Sequence, residues 1–405
     1  MSAKYNIICL SNQLWLSDYW TNKSHVMSRL SKLGHKVLFV EPPINTGNVF
    51  ARQVLAGSWP VKRLLTQTRV EEQSGVLIYS PLNVLPSADI TSRWHISRIN
   101  KVAQQFFDPQ RKTILWVYHV QLKNLLDYVD DIRHDELVYD CVDNYVGFPE
   151  NSAFYSTTVT KKQLVAQEEI LAKKAHLVFA SAPGLAERLK NYNPNTHFTP
   201  NVGDYEKFKD AKLIKDVPDD LKNIKKPVIG FTGALDEYKF DMGLFKELAQ
   251  NHLQVSFVLI GSLAIKGKNA TKESLGLMGL DNVHLLGPKP YDSIQQYFAG
   301  FDAFIIPYQL NDYTVGGCFP VKFHDALAAG LPVIVTDLPS YSFFKDVCYI
   351  SKSYKEFSDN LERALREDSL EKVKARQEVA KNNNWDGKVA NMLKLISSVM
   401  TERSS

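Results

Sequence analysis

Cysteine is scarce: the four in 405 residues, Cys9, Cys141, Cys318 and Cys348, lie far apart and form no metal-type pair. That excludes a disulfide framework and a cysteine-based zinc site. Cys9 and Cys141 sit in or beside strand-like runs and read as small buried apolar residues. No apolar stretch approaches the roughly 18 residues that a membrane-spanning helix needs. The run Tyr5–Leu10 ends at Ser11 and Asn12 and follows no basic segment, unlike a secretory leader. A cytoplasmic protein, soluble or peripheral, is expected. A GxGxxG fingerprint and a GxxxxGK[ST] loop are both missing, which argues against dinucleotide redox chemistry and P-loop phosphoryl transfer. No Asp-x-Asp motif has a strand-end setting, so no metal is expected. The net charge is only +4, and nothing marks a nucleic-acid partner.

The composition that remains is that of a globular protein, 23% charged and 44% apolar, and too long for a single core. Strand candidates Tyr5–Leu10, Lys36–Val40, Val76–Tyr79, Thr113–Tyr118, Leu137–Asp140 and His176–Ala180 are separated by helix-length spans. One such span is Asn22–Leu33, with Val26, Met27, Leu30 and Leu33 on one face. This is the alternation of a parallel sheet covered by helices. It stops in the charged stretch 206–226 and restarts at Val228–Phe231, Val255–Ile260, Val283–Leu286, Ala303–Ile306 and Pro332–Val335. The expected organisation is α/β throughout: a first domain over 1–205, a charged linker over 206–226, a second domain over 227–380, and a C-terminal helix over 381–405 that packs on either domain. Two such domains in tandem imply a cleft, with ligands at the carboxyl ends of the strands.

No acidic residue lies between Glu41 and Glu71, while Arg52, Lys62, Arg63 and Arg69 alternate with Phe50, Val54, Leu55, Trp59, Leu64 and Leu65. Residues 50–69 therefore suit an anionic membrane surface. A lid or a packed helix with a solvated basic face has the same composition.

The densest chemical signal runs from Tyr308 to Val335. A strand ends at Pro307, a loop with Gly316 and Gly317 follows, and Pro320 opens a helix. The N–H groups of such a corner attract anions. Lys322 in the first turn opposes the helix dipole, which makes sense beside a bound phosphate; a surface lysine is the plain alternative. Asp325 shares its face at i+3 and could accept from a ribose diol or simply pair with Lys322. Gly233 ends the first strand of the second domain in a turn that lets a ligand approach the backbone, and Lys239 could reach a phosphate from that side. In the first domain, His119 follows a strand end, and Asp140 and Asp143 flank the next; together they could line a cleft or only cap backbone.

Pro320–Ile334, read as P-x-K-x-x-[acid]-x-L-A-A-G-x-P-V, resembles the helix start of the large retaining "group 1" family of GT-B-fold glycosyltransferases. The chain is most similar to the branch of teichuronic acid biosynthesis glycosyltransferases. Gly230–Asp241, Val283–Tyr308 and Leu137–Tyr145 resemble other segments of that branch. The resemblance implies the GT-B architecture: two Rossmann-like domains facing a central cleft, with a helical C-terminal tail. It implies a nucleoside diphosphate sugar as donor, a UDP-sugar before a GDP-sugar, with no tightly bound cofactor. The acceptor would be a glycan or a lipid-linked glycan of the cell envelope or an exopolysaccharide. Asp325 takes the place of the family's ribose-binding glutamate and Lys322 that of its lysine. Asp325 is shorter than that glutamate by one methylene. Gly317 stands where the family's sugar-contacting glutamate does, and Ala234 follows Gly233 where an arginine is usual. Lys322 and Lys239 are left to receive the diphosphate, with N–H groups near Gly316 and Gly317. If configuration is retained, the leaving phosphate helps deprotonate the acceptor and His119 positions a sugar. If it is inverted, Asp143 or Asp140 is the base. A nucleotide-sugar epimerase or hydrolase, and a weakly active nucleotide-sugar-binding partner in an assembly complex, are the rival readings.

Overall fold

A computed structural model of the chain describes residues 3–15, 20–45, 70–83, 88–148, 159–262 and 271–403. Residues 50–69, read above as a membrane-facing segment, lie outside the described residues. The chain divides into two compact units, Met1–Thr199 with Val389–Ser405, and Pro200–Lys388.

The first unit carries β1 (Asn6–Leu10), β2 (Lys36–Val40), β3 (Ile44–Asn45), β4 (Val70–Gln73), β5 (Val76–Tyr79), β6 (Leu82–Asn83), β7 (Thr113–Val117), β8 (Glu136–Cys141), β9 (Leu177–Ala180) and β10 (Thr196–Phe198). Eight of them form one sheet in the order β10-β9-β8-β7-β1-β2-β5-β4, and β3 pairs with β6. β1, β7 and β8 are almost wholly buried, which is why their sequences run apolar without alternation. All pairs in the sheet are parallel except β4 with β5, joined by a Ser74–Gly75 turn with positive φ at both positions. That edge strand, Val-Glu-Glu-Gln, escapes a search for apolar runs because its charges suit an edge. The first helix is Asn22–Lys32; Val26, Met27 and Leu30 are buried as the periodicity requires, whereas Leu33 is 47% exposed.

The second unit carries β11 (Val228–Thr232), β12 (Ser256–Ile260), β13 (Val283–Gly287), β14 (Ala303–Ile306), β15 (Val333–Thr336) and β16 (Tyr349–Ser351), in the parallel order β13-β12-β11-β14-β15-β16. The stretch 206–226 is not a free linker. It forms helical turns at Tyr205–Phe208, Ala211–Leu213 and Asp219–Lys222, and buries Phe208, Ala211 and Leu221 in the core of the second unit. Leu213, by contrast, is 74% exposed. Several of its charges pair with that unit, Lys207 with Asp292, Asp220 with Lys289 and Lys226 with Asp302. The helix Leu370–Asn382 is capped by Ser369, which accepts from Lys372 N–H, and Asp368 just before it accepts from Arg376. In the last helix, Trp385–Glu402, the chain returns to the first unit, where Arg403 bonds Glu136. No helix among the described residues is long and apolar enough to cross a membrane.

Candidate active site

In each sheet the strand order reverses direction once. Beside that reversal the loops of two adjacent strands diverge and leave room for a ligand at the carboxyl edge. In the second unit the reversal lies between β11 and β14. Gly233 follows β11 and Tyr308 follows β14, and the ammonium of Lys322 sits between them. It donates to the Tyr308 hydroxyl at 3.2 Å and lies 4.1 Å from the centre of the Phe231 ring. A Cβ on Gly233, whose φ is +125°, would come within 2.3 Å of Lys322 Nζ. That φ favours glycine, and the Lys322 side chain would have to shift to admit any Cβ.

Lys239 lies close enough to depress the Lys322 ammonium further. Burial comes first among the causes and Lys239 second; together they push it down to about 7, against weaker support from Cys318 and Asp236. Lys239 pairs with Asp236 at 3.6 Å and faces the rings of Tyr238 and Tyr313. A buried ammonium with a second cation beside it is a poor arrangement for the protein alone, and a good one for a doubly charged diphosphate.

Gly316 and Gly317 do not form an open loop. They end the short helix Asp312–Gly317, which Asn311 caps, and neither has a positive φ. A helical backbone turns its N–H groups back toward the preceding carbonyls, so the expected anion cradle is not built at these two residues. The sequence suggested a loop because paired glycines usually break helices, but the Asn311–Thr314 capping box holds this one.

Asp325 is 7% exposed, and its Oδ1 accepts from the backbone N–H of Asp204 at 2.8 Å. Burial raises its carboxyl to about 7, helped by the Asp204 charge and opposed by that same N–H. It does not pair with Lys322. Its folded-state value is above the ordinary one near 3.9, so the folded state holds a proton that the unfolded state has lost, and stability falls as pH rises from about 4 to about 7. Asp325→Asn should flatten that slope in thermal melts between these pH values. Asp325→Ala should leave the Asp204 N–H without its acceptor and cost about 1–3 kcal/mol.

In the first unit the reversal lies between β1 and β7, and His119, Asp140 and Asp143 gather at that edge. Burial pushes the His119 imidazole down to about 3, with Lys23 adding to the effect, so it is neutral at pH 7. Its Nδ1 accepts from Gln121 N–H at 3.3 Å, and the Ser11 backbone accepts from the ring. The imidazole thus braces the loops after β1 and β7. Asp140 is buried inside β8 and accepts from Trp116 Nε1 at 3.2 Å. Asp143, two residues past β8, is half-buried, and its Oδ1 accepts from Asn144 N–H at 2.9 Å. Of the three, Asp143 has the access to solvent that a base needs.

Tyr308 and Lys23 are the site residues that sequence reading missed. A tyrosine one residue past a strand carries no distinctive pattern. Lys23 did carry one: a lysine in the first turn of a helix, the same dipole-opposing placement that singled out Lys322. Among the described residues no group of three His, Cys, Asp or Glu side chains could hold a metal ion.

Residues 226–367 match the family described as "Glycosyl transferases group 1". Over 263 residues the chain is 26% identical to TuaH of Bacillus subtilis strain 168, named as a teichuronic acid biosynthesis glycosyltransferase. That match spans 62% of this chain and 64% of the relative, just under two thirds of its length. Among solved structures, sucrose-phosphate synthase from Thermosynechococcus elongatus superposes with a TM-score of 0.72 at 12% identity, over 98% of this chain and all of that one. HepE from Anabaena, solved in complex with UDP and glucose, gives 0.66 at 15% identity, over 97% of this chain and 99% of its own. Residues 226–367 match the group 1 glycosyl transferases, and the chain that carries them has the GT-B fold of two parallel-sheet units.

Proposed function

We propose that the protein transfers a hexosyl group from a nucleoside diphosphate sugar, a UDP-sugar before a GDP-sugar, to a glycan or lipid-linked acceptor in cell-envelope or exopolysaccharide synthesis. One observation carries the reading: the half-buried Lys322 packs its Nζ against Gly233 and Tyr308 at the sheet reversal, with Lys239 adding a second positive charge. As the anomeric C–O bond breaks, negative charge grows on the diphosphate, and fixed cations in a water-poor corner stabilise it. No metal is needed for that neutralisation. The ribose would lie toward Asp325, whose Oδ1 holds the Asp204 N–H. The UDP bound by HepE and the naming of TuaH support the donor class and the envelope setting.

We favour retention of configuration, with the leaving phosphate taking the acceptor proton. His119 is neutral and bound to backbone, which suits bracing rather than proton transfer. An inverting course would use Asp143. The missing side chain at Gly317 supports a second reading, a nucleotide-sugar-binding partner with little turnover.

A thermal-shift panel separates these. UDP at 100 times its dissociation constant should raise apparent stability by about 2.7 kcal/mol, and a UDP-sugar should release UDP faster with acceptor than without. Stabilisation by nucleotide with no release from UDP-, GDP- or dTDP-sugars would leave only the binding role. No stabilisation by any nucleoside diphosphate would end both.

Residues 50–69 would hold the protein to an anionic bilayer from the cytoplasmic side. Replacing Arg52, Lys62, Arg63 and Arg69 with glutamate should abolish sedimentation with phosphatidylglycerol vesicles at low salt and leave UDP affinity unchanged. Equal sedimentation before and after would remove the membrane role.

A further inference from the structure

The first unit holds a second buried lysine whose position the account so far does not use. Lys23 is the second residue of the helix Asn22–Lys32 and is 6% exposed. Its ammonium has no hydrogen-bond acceptor among the described residues and lies 5.5 Å from the centre of the Tyr118 ring. The groups facing it come from three strand ends. They are Cys9 on β1, Tyr118 and His119 after β7, Asp140 on β8, and Asp143 in the turn beyond. This is the carboxyl edge beside the β1/β7 reversal, where open parallel sheets receive ligands.

An ammonium with three donors, sunk among strand ends and without an acceptor among the described residues, is costly unless an oxygen arrives to accept from it. The two carboxylates near it, Asp140 and Asp143, make the place unfavourable for a phosphate or a uronate. A neutral polyol fits, because each sugar hydroxyl both accepts and donates. It can accept from Lys23 and donate to the half-buried Asp143.

We propose that Lys23 is a substrate-contacting residue of the first unit, donating to the hydroxyls of a neutral sugar whose neighbouring hydroxyl donates to Asp143. The inference rests on the glycosyl-transfer reading, and it specifies the acceptor side as an uncharged sugar. Lys23 has a further consequence. Its charge lowers the proton affinity of His119.

The test uses the full chain as wild type, Lys23→Met and Lys23→Arg. Binding of glucose, N-acetylglucosamine, glucuronate and glucose 6-phosphate is read by saturation-transfer NMR, and UDP affinity by calorimetry. Near-UV circular dichroism checks that each variant is folded. The wild type should bind the neutral sugars in preference to the two anionic ones. Lys23→Met should lose at least tenfold of that binding, and Lys23→Arg should recover part of it. UDP affinity should be the same in all three, since Lys322 belongs to the other unit. A folded Lys23→Met that binds neutral sugars as the wild type does would overturn the proposal. So would a wild type that prefers the anionic sugars or binds none. If UDP fails to bind while neutral-sugar binding still follows Lys23, the transfer reading falls and this one stands.

Discussion

Lys322→Met should lose about 2–4 kcal/mol of diphosphate binding, roughly 30- to 1,000-fold in affinity, because it removes a desolvated cation from a doubly charged ligand. The same substitution should make the unliganded protein more stable at pH 6. In the free protein the buried ammonium is held down to about 7 by burial and by Lys239. Below that pH it must stay charged in a place that disfavours charge. Between about 7 and its ordinary value near 10.4 the unfolded chain keeps a proton that the folded one has shed, so stability gains with rising pH across that window. Methionine removes both the cost and the slope. A variant that binds more weakly and melts higher marks a residue kept for its ligand rather than for the fold.

The pH dependence of binding follows with the opposite sign. The diphosphate needs the protonated lysine. Above pH 7 it must bring the proton back, and UDP affinity should fall by up to tenfold per pH unit until the pKa of the complex is reached. Calorimetry between pH 6 and pH 9 in two buffers of different ionisation enthalpy should show proton uptake in the wild type that is absent from Lys322→Met. Unchanged UDP affinity in that variant would take the lysine out of the mechanism.

Gly261→Ala should damage the same corner from beneath. Gly261 ends the turn after β12 with φ +147°, and an added Cβ would come within 2.0 Å of Gly233 O and 2.5 Å of Gly233 C. Both atoms are backbone and cannot rotate away. The Gly233 turn is itself tied to β12 by its N–H, which donates to Ile260 O at 2.7 Å. Overpacking and backbone strain together should cost about 3 kcal/mol. The Gly233 turn would have to lift toward Lys322, and UDP binding should fall further than stability alone explains. Urea melts with a parallel UDP titration separate the two effects. A Gly261→Ala protein with wild-type melting and wild-type UDP affinity would show that the turn is softer than these contacts imply.

Most of the strands were legible in the sequence. Lys36–Val40, Val76–Tyr79 and Ala303–Ile306 keep the bounds their composition suggests, because strands buried on both faces must be apolar throughout. The strands missed were β3, β4, β6, β10 and β16, which are short or charged. Edge strands of that kind take their conformation from a neighbour rather than from their own pattern. The stretch 206–226 was misread because burial of Phe208, Ala211 and Leu221 depends on a core built from residues far along the chain. The two glycines before Cys318 were misread for a similar reason. Local propensity favours a loop there, and a capped turn packed on the second unit overrides it.

The sequence by itself determined the kind of fold and where its cations fall along the chain. Apolar runs separated by amphipathic helices allow only a helix-covered parallel sheet, and a lysine in the first turn of a helix is visible in any linear reading. What only the tertiary structure decided is which of those groups meet. Strand order places Gly233 beside Tyr308 and Ser11 beside His119, although about 75 and 108 residues separate them. It also buries Lys322 and Lys23 where an isolated helix would leave both in water. Proton affinity and ligand-binding capacity follow from that burial and from neighbours brought together across the sheet, and neither quantity is written in local sequence.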